Sequence, residues 1–587
     1  MSTATPVEVS LEPVPRWVAP VWELREGRDP LGMQTTTTDR LLPVLLPGLI
    51  ELSQQARYLS FYVHLLAEYE RRRLGSSRAE LDRFVRRAEW DYGLAVLRCE
   101  RCDSSPQGSQ RLRPIIHEHE NVSHFPRGLS VQSTLGGYGL YYRGPMNELG
   151  LIAREGSLLG DEPIPIDVLA RTERAQRLAA TFTTAVEDTA YHRDGWIVRT
   201  EPLPRGVVDE YGRVGCLCRL GEFADERDAV EEALFGRDAP PPVEGSAVAS
   251  AGVRTARDSD GSPAIPRPEV EGTIVDAVVQ RGRSVAHFLT LFDDDAEVVS
   301  SQSAYRQALW DSAGSRSEAH RRVAGQWAGL VVKDVWQEAV CSVWTSFCRD
   351  GLARHRELGR PLEPSEVEAV ARRMVAAPPT LVPEQATSEL ADALAGGELS
   401  VAVPANIVTL DGQAVDAVTV APSSLTREQL RRATVALNSA SFGLIVLLEL
   451  AQRIEKRSGP GWNEAMGVRS SWQPSVAEVV AVFKRHLQEA PTVADTLWWM
   501  TRRFVIPVHE RIAYSKLPQR MFTFRFRWED SRLRFYDHGI DRFPLAAARH
   551  TPFVQLTGAL GMWVRRPNEP AELTARGRSF IAAHLGA

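Results

Sequence analysis

Four of the six cysteines in this 587-residue chain lie in two close pairs. Cys99 and Cys102 are separated by two residues, and Cys216 and Cys218 are separated by one. Tetrahedral zinc takes four thiolate or imidazole ligands, which proteins usually supply as two such pairs. The sequence therefore predicts a structural zinc site if the fold brings the pairs together, and separate buried thiols if it does not.

A second set of residues with metal-binding chemistry is the run His117-Glu118-His119-Glu120, with His124 nearby. On a strand, His117 and His119 would lie on one face, where they would be able to share a metal ion. A catalytic metal also needs a third ligand and a positioned base, for which Glu120 and His124 are available. The alternatives are a metal-dependent hydrolase that uses His117 and His119, or a solvated loop.

Apolar and polar residues alternate from Phe522 to Trp528, and this period of two is typical of a half-buried strand. A two-residue turn at Asp530-Ser531 would fold the segment into a hairpin with four facing pairs: Phe526 and Phe535, Arg527 and Arg534, Trp528 and Leu533, Glu529 and Arg532. Two arginines that face each other across strands repel, and a bound anion such as phosphate would remove the repulsion.

The region around this hairpin is strongly basic, with eleven Lys and Arg against five acids in residues 502–549. Such a local surplus predicts contact with nucleic-acid phosphates. The candidate side chains are those of the hairpin and of a basic loop near the C-terminus: Arg525, Arg527, Arg532, Arg534, Arg565 and Arg566. The alternative is a solvated face in an arginine-rich chain, because only four of the 69 basic residues are lysine.

Two segments share one order of motifs. Near the C-terminus, Leu560-Gly561-Met562-Trp563 ends a helical stretch, a basic loop follows, and a last helix starts at Thr574. Leu149-Gly150-Leu151 and the helix from Thr172 repeat this order with a longer loop. Both segments resemble winged-helix modules, which bind DNA in many families and hold partner proteins in others. They span about residues 140–182 and 538–587.

A third familiar stretch runs from Leu42-Pro43-Val44-Leu45-Leu46-Pro47-Gly48-Leu49-Ile50 to Ala56-Arg57-Tyr58-Leu59-Ser60-Phe61-Tyr62. With the two winged-helix-like segments, it is similar to uncharacterised bacterial proteins of helicase-linked genome-defence gene clusters. The resemblance implies anti-phage defence as the setting, with DNA and other protein subunits, such as a helicase or nuclease, as partners. It carries no catalytic residues with it.

Composition excludes several function classes. The net charge of −6 and the pI of about 6.2 exclude a general polycation. None of the four lysines stands in a Walker A loop or in the E-x-K end of a restriction-type nuclease core. The N-terminus lacks a signal peptide and no apolar stretch is long enough to span a bilayer, so we expect a cytoplasmic protein without a membrane partner. The scarcity of lysine favours a GC-rich, actinobacterial genome.

These patterns predict a mainly α, multi-domain chain of helical bundles with short β-hairpins and winged-helix-like modules. The predicted segments are an extended N-terminal arm (1–40), a helical domain that contains the first winged-helix-like segment (41–236), a linker or long loop (237–268), a helical domain (269–400), a mixed β-hairpin and helical region (401–520), and a β-hairpin plus C-terminal winged-helix-like module (521–587). We expect a non-enzymatic DNA-binding or scaffold subunit of a bacterial multi-protein complex. The alternative to this function is a protein-interaction adaptor that does not bind DNA.

Overall fold

A computed structural model of the chain describes most of its residues. The described ranges are 25–26, 29–102, 104–119, 122–159, 162–236, 277–312, 317–376, 381–395, 408–410, 413–415, 440–454, 457–519, 521–537, 548–566 and 568–586. The predicted linker, 237–268, lies outside them.

Helices account for most of the described residues, as the apolar periodicity predicts. In chain order they are α1 (Met33–Thr36), α2 (Leu42–Leu45), α3 (Arg57–Arg71), α4 (Arg78–Leu97), α5 (Ser109–Glu118), α6 (Arg143–Glu148), α7 (Glu173–Val186), α8 (Ala190–Arg193), α9 (Arg205–Gly215), α10 (Ala224–Phe235), α11 (Ala277–Asp294), α12 (Gln302–Asp311), α13 (Glu318–Leu358), α14 (Pro364–Arg373), α15 (Thr387–Ala395), α16 (Ala440–Ile454), α17 (Pro460–Gly467), α18 (Val476–Leu487), α19 (Val493–Met500), α20 (Ile506–Lys516), α21 (His550–Ala559) and α22 (Ala575–Leu585).

The strands of the described residues are short and pair only in twos. They are β1 (Arg25–Glu26), β2 (His124–Phe125), β3 (Ile152–Ala153), β4 (Leu158–Leu159), β5 (Glu162–Pro163), β6 (Val168–Leu169), β7 (Leu203–Pro204), β8 (Val408–Leu410), β9 (Gln413–Val415), β10 (Met521–Phe522), β11 (Phe526–Glu529), β12 (Arg532–Phe535), β13 (Trp563–Val564) and β14 (Glu572–Leu573). Only β1 and β10 pair in parallel; the other pairs are antiparallel. The prediction of a mainly helical chain with short β-hairpins is confirmed.

The chain divides into two compact units, and neither is continuous in sequence. Unit 1 comprises residues 1–38, 329–458 and 462–546, and unit 2 comprises 39–328, 459–461 and 547–587. The predicted segments, in contrast, follow one another along the chain. One consequence is that the β11–β12 hairpin belongs to unit 1, whereas the basic loop with Arg565 and Arg566 belongs to unit 2.

The core of unit 2 is built from aromatic side chains of α3, α4, α7, α9 and their neighbours. Adjacent rings in this core lie 4.0–6.3 Å apart between centroids. Its nine members are buried and form one connected cluster: Tyr58, Phe61, Tyr62, Tyr92, Tyr138, Tyr142, Phe182, Tyr191 and Tyr211. Aromatic rings bury large areas, so this cluster supplies much of the hydrophobic stabilisation of the unit.

Unit 2 also contains two copies of one supersecondary arrangement. We call them repeat A (α6, the β3–β6 hairpin and α7) and repeat B (α21, the β13–β14 hairpin and α22). In both, a glycine with positive φ ends the first helix: Gly150 at +68° and Gly561 at +69°. Glycine adopts this conformation without the steric cost of a Cβ atom, which is why it ends helices so often.

The second helix of each repeat starts in the same way. Thr172 accepts a hydrogen bond from the backbone N–H of Ala175 at 3.3 Å, and Thr574 accepts one from Gly577 at 3.2 Å. Threonine is a favourable N-cap because its hydroxyl satisfies an N–H that the helix leaves unpaired. The hairpin loop of repeat A is longer because it holds the small β4–β5 hairpin.

The β11–β12 hairpin of unit 1 has the predicted register. Its facing pairs are Phe526 and Phe535, Arg527 and Arg534, Trp528 and Leu533, and Glu529 and Arg532. Asp530 and Ser531 both have positive φ, as a type I′ turn requires. The pairing of β8 with β9, in which Leu410 faces Gln413, likewise fits the β-hairpin predicted within the region 401–520; the two residues between the strands, Asp411 and Gly412, lie outside the described ones.

The prediction of an extended arm over residues 1–40 is wrong for residues 29–40. This stretch holds α1 and the start of a π-helical turn, Thr37–Leu41. Asp29 starts α1, because its carboxylate accepts backbone hydrogen bonds from Met33 at 2.9 Å and Gln34 at 3.1 Å. Leu31 is fully buried. The Asp29 carboxylate thus satisfies backbone N–H groups that the first turn of a helix leaves unpaired.

Candidate metal centre

The two cysteine pairs stand at the ends of two helices that pack closely. Cys99 lies two residues beyond α4, and Cys216 directly follows α9. A Cβ atom on Gly212 would come within 2.4 Å of the Ala95 carbonyl oxygen, so glycine is what allows this close approach. The helix packing therefore brings together two pairs that are more than a hundred residues apart in sequence.

Polar contacts hold the two helix ends in register. The Tyr92 hydroxyl donates to the Gly215 carbonyl at 2.8 Å, although Tyr92 lies in the aromatic core. Nearer the surface, the Arg98 Nε atom donates to the Asp209 carboxylate at 2.8 Å. Both contacts connect α4 to α9 within one turn of a cysteine, so they position the sulfur atoms relative to each other.

The four sulfur atoms form a small cluster. The Sγ atoms of Cys99 and Cys218 lie 3.7 Å apart, those of Cys102 and Cys216 lie 3.6 Å apart, and all four lie within 4.8 Å of one another. A tetrahedron with zinc–sulfur bonds of about 2.3 Å has edges of about 3.8 Å. The observed separations match a single tetrahedral ion. The four cysteines thus form a possible metal site, as the sequence predicts.

Hydrogen bonds and burial act on the thiols in opposite directions. Burial raises the pKa of Cys102, but hydrogen bonds from Ser104 outweigh this effect and lower the pKa to about 7. Burial raises the pKa of Cys216, and it raises the pKa of Cys218 to about 12. Thiolates are the form that binds metal, so the buried thiols need a nearby positive charge to ionise.

A buried arginine beside the cluster supplies part of that charge. Arg219 is buried, and its Nη1 atom donates to both carboxylate oxygens of Glu222 at 2.8 and 2.9 Å. Burial lowers the pKa of Arg219, but the hydrogen bonds and charge of Glu222, followed by the charges of Cys218 and Cys99, outweigh that effect and raise it. Its Nε atom is buried with no hydrogen-bond partner within the described part of the chain. Four thiolates around a divalent cation carry a net charge of −2, and an adjacent guanidinium offsets at most one unit of it. The four sulfur donors fit a bound tetrahedral ion.

The histidine run has a different structure from the one predicted. His117 lies in the last turn of α5, and His119 caps that helix with its Nδ1 atom 3.1 Å from the Ile115 carbonyl oxygen. Residues two apart on a helix point in nearly opposite directions, so the two imidazoles do not share the face that a strand would have given them. Among the described residues, only the four cysteines form a group of three or more potential ligands; Glu120 lies outside these residues.

The hairpin arginines have partners within the protein. Glu529 binds both members of the facing pair: Arg534 Nε lies 2.6 Å from it, and Arg527 also contacts it. The Tyr536 hydroxyl adds a third hydrogen bond at 2.7 Å, and the pKa of Glu529 is lowered to about 2: burial raises it, but the hydrogen bonds from Tyr536 and the two arginines outweigh that effect. A carboxylate of the same hairpin therefore occupies the place predicted for a phosphate.

The other predicted phosphate-binding residues differ in their exposure. Arg525 is only 8% exposed, so a phosphate would not reach this side chain directly. Arg532 forms an ion pair with Glu363 at 2.6 Å. In unit 2, Arg565 and Arg566 are exposed in the loop between β13 and β14, and Arg566 pairs with Glu569 at 3.2 Å. Arg532 and Arg534 are exposed as well, but both pair with carboxylates within unit 1.

Arg57 is the residue near the centre that sequence reasoning missed. It is buried, and its Nη1 atom donates to the carbonyl oxygens of Val214 and Cys216 at 2.7 and 2.6 Å. The only signal in the sequence was an arginine within an otherwise apolar helical face, which indicates a buried ion pair but not its location.

Comparison with protein-family models, with curated proteins and with solved structures finds no match for this chain. No helix of the described residues is both long and apolar enough to cross a membrane.

Proposed function

We propose that this protein is a non-enzymatic scaffold subunit of a bacterial multi-protein complex and that a structural zinc ion stabilises it. The observation that carries the proposal is the cluster of Cys99, Cys102, Cys216 and Cys218, whose sulfur atoms all lie within 4.8 Å of one another. Four protein thiolates complete the coordination of zinc and leave no open position for water or substrate. Sites of this kind stabilise folds, whereas catalytic zinc sites usually have three protein ligands.

The two repeats support a binding role for unit 2. Each places a two-stranded hairpin between two helices, which is the order of elements in the helix–wing part of a winged helix. We interpret repeats A and B as winged-helix-like modules that hold partner macromolecules. The setting of anti-phage defence and a helicase or nuclease as partner follow from the resemblance of the sequence alone.

DNA binding at the wing of repeat B is the second candidate function. The specific observation in its favour is the exposure of Arg565 and Arg566 in the β13–β14 loop. Exposed arginines bind phosphates without first breaking a buried ion pair. The hairpin pair Arg527 and Arg534 is a weaker candidate, because Glu529 already neutralises it.

Metal analysis of the purified full chain tests the zinc proposal. We expect one zinc ion per chain, retained in the His117→Ala/His119→Ala variant and lost in Cys99→Ser. Cobalt substitution should give the intense visible absorption of a tetrahedral tetrathiolate site. Metal-free wild-type protein would overturn the proposal, and zinc that depends on the histidines would overturn it in favour of the hydrolase alternative.

A gel-shift assay with duplex DNA at low and physiological salt tests the second candidate. The logarithm of affinity should fall linearly with the logarithm of salt concentration, and Arg565→Glu/Arg566→Glu should reduce the slope by about 2. The matched variant Arg527→Glu/Arg534→Glu should reduce it less, because Glu529 offsets those charges. No binding at low salt would reject DNA contact and leave a protein-interaction adaptor.

A further inference from the structure

Arg57 connects the cysteine cluster to the rest of unit 2. Its Nε and Nη2 atoms donate to Glu226 at 3.0 and 2.8 Å, and both side chains are fully buried. Its Nη1 atom binds the carbonyl oxygens of Val214 and Cys216. The guanidinium also lies over the ring of Phe182 in α7, 5.4 Å from its centroid. One buried charge thus joins the backbone of Cys216 to Glu226 of α10.

The helix that carries Glu226 also holds both repeats. On α10, Glu231 and Asp228 accept hydrogen bonds from Arg576 of repeat B at 2.8 and 2.7 Å. Phe235, at the end of α10, packs edge-to-face against Phe580 of α22 with 4.9 Å between ring centroids. Repeat A contacts the same helix through Arg177, which pairs with Glu232. A displacement of α10 would therefore change the packing of α22 and α7.

We propose that occupancy of the four-cysteine centre controls the packing of repeat B, through Arg57, Glu226 and α10. This inference rests on the proposed zinc site. Metal coordination fixes the Cys216 backbone and so holds its carbonyl oxygen against Arg57. Without the metal, this carbonyl is free to turn away, and a fully buried guanidinium loses an acceptor. Because a buried charge with unsatisfied N–H groups is costly, Arg57 and Glu226 shift together and α10 moves with them.

The test compares zinc-loaded and chelated full-length protein by peptide-resolved hydrogen exchange. In wild type we expect zinc removal to accelerate exchange at least tenfold both at residues 97–102 and 215–222 and in α22. The variant Arg57→Met/Glu226→Leu replaces the buried ion pair with apolar side chains of similar size, an exchange that proteins often tolerate. In this variant, zinc removal should accelerate exchange at the cysteines but leave α22 unchanged.

Zinc affinity provides an independent readout of the same connection. Residues that orient metal ligands typically change metal affinity 10–100-fold, so the double variant should bind zinc more weakly by that factor in a chelator competition. The matched control is Arg101→Ala, which removes an exposed ion pair with Glu222 beside Cys102 and leaves α10 untouched. It should retain wild-type zinc affinity within about twofold.

The outcomes separate this proposal from the one on which it rests. If wild-type protein binds no zinc, the zinc proposal itself fails. If zinc binds but its removal leaves exchange in α22 unchanged, the control of repeat B is rejected. If removal accelerates exchange in α22 equally in wild type and in the double variant, the effect does not pass through Arg57, and the proposal is also rejected.

Discussion

Two buried carboxylates, Glu89 and Asp91, lie on α4 beside the aromatic core of unit 2, where Asp91 accepts a hydrogen bond from the Tyr191 hydroxyl at 2.9 Å. Burial raises the pKa of each to about 7, although Gly137 and Tyr138 donate backbone hydrogen bonds to Glu89. A carboxyl group whose pKa is higher in the folded than in the unfolded state binds more protons when folded. Its contribution to stability is therefore present at low pH and is lost as the pH rises to 7.

Replacement of Glu89 by glutamine should remove this pH dependence. The shift from 4.5 to about 7 corresponds to about 3 kcal/mol in the free energy of unfolding, lost between pH 4.5 and 7. In urea unfolding, we expect the free energy of unfolding of wild type to fall between pH 5 and pH 8. In Glu89→Gln it should fall by about 3 kcal/mol less. Glu187→Gln, at an exposed position of the same unit, is the control. An unchanged pH profile in Glu89→Gln would contradict the prediction.

At this scale, the sequence predicts the types of residue but not their partners. The two cysteine pairs were recognisable because zinc requires a definite number and type of ligand. The pairing of Arg57 with Glu226 was not recognisable, because the two residues are 169 positions apart and only packing brings them together. The repulsion between Arg527 and Arg534 was also predictable from the hairpin register. That Glu529 binds both arginines was not, because Glu529 faces Arg532 in the register and reaches the other two only through its side-chain conformation.

At the scale of elements, the β11–β12 hairpin shows how local charge is balanced. Glu529→Gln should leave Arg527 and Arg534 facing each other without a carboxylate, at a cost of about 1 kcal/mol that decreases as salt screens the repulsion. Hydrogen exchange of the β11–β12 amides at low and high salt measures this cost and its dependence on salt. The control Asp537→Asn removes an exposed pair with Arg356 and should cost less. A cost independent of salt would argue against charge repulsion as the cause.

The glycines that end α6 and α21 should contribute equally to the stability of unit 2. Alanine at Gly150 or Gly561 would have to adopt positive φ, so each substitution should destabilise unit 2 by about 1 kcal/mol. Gly144 lies within α6 with open space around its Cβ position, and Gly144→Ala should stabilise instead. Thermal unfolding of the three variants checks this. Opposite effects at Gly150 and Gly561 would show that the two repeats are not equivalent.

Elements with a strong local signal were predictable from the sequence. The register of the β11–β12 hairpin follows from its period of two and a two-residue turn. The inserted β4–β5 hairpin of repeat A was predicted only as a longer loop, since its strands have two residues each and no periodicity. The helical prediction failed at α5, where Pro114 and a polar sequence mask a ten-residue helix.

At the scale of the whole molecule, long-range packing decides the organisation, and one sequence carries little information about it. Unit 2 joins residues 39–328 to 547–587, a division that no composition shift indicates. Contact between α11 and α22, or between α4 and α9, depends on complementary surfaces of distant helices. This is why the sequence predicted the fold class and the short hairpins, but not the two discontinuous units.

The location of all four cysteines in unit 2 predicts a selective effect of metal removal. A ligand stabilises only the unit that binds it, by about 4 kcal/mol at a free concentration 1,000-fold above Kd. Chelation should therefore lower the protection from hydrogen exchange in α4, α9 and α10, while α18 and α20 of unit 1 keep theirs. Cys348→Ser, a unit 1 cysteine outside the cluster, should leave this response unchanged. Equal loss of protection in both units would mean that they unfold as one cooperative body. The four-cysteine centre would then stabilise the whole chain and not unit 2 alone.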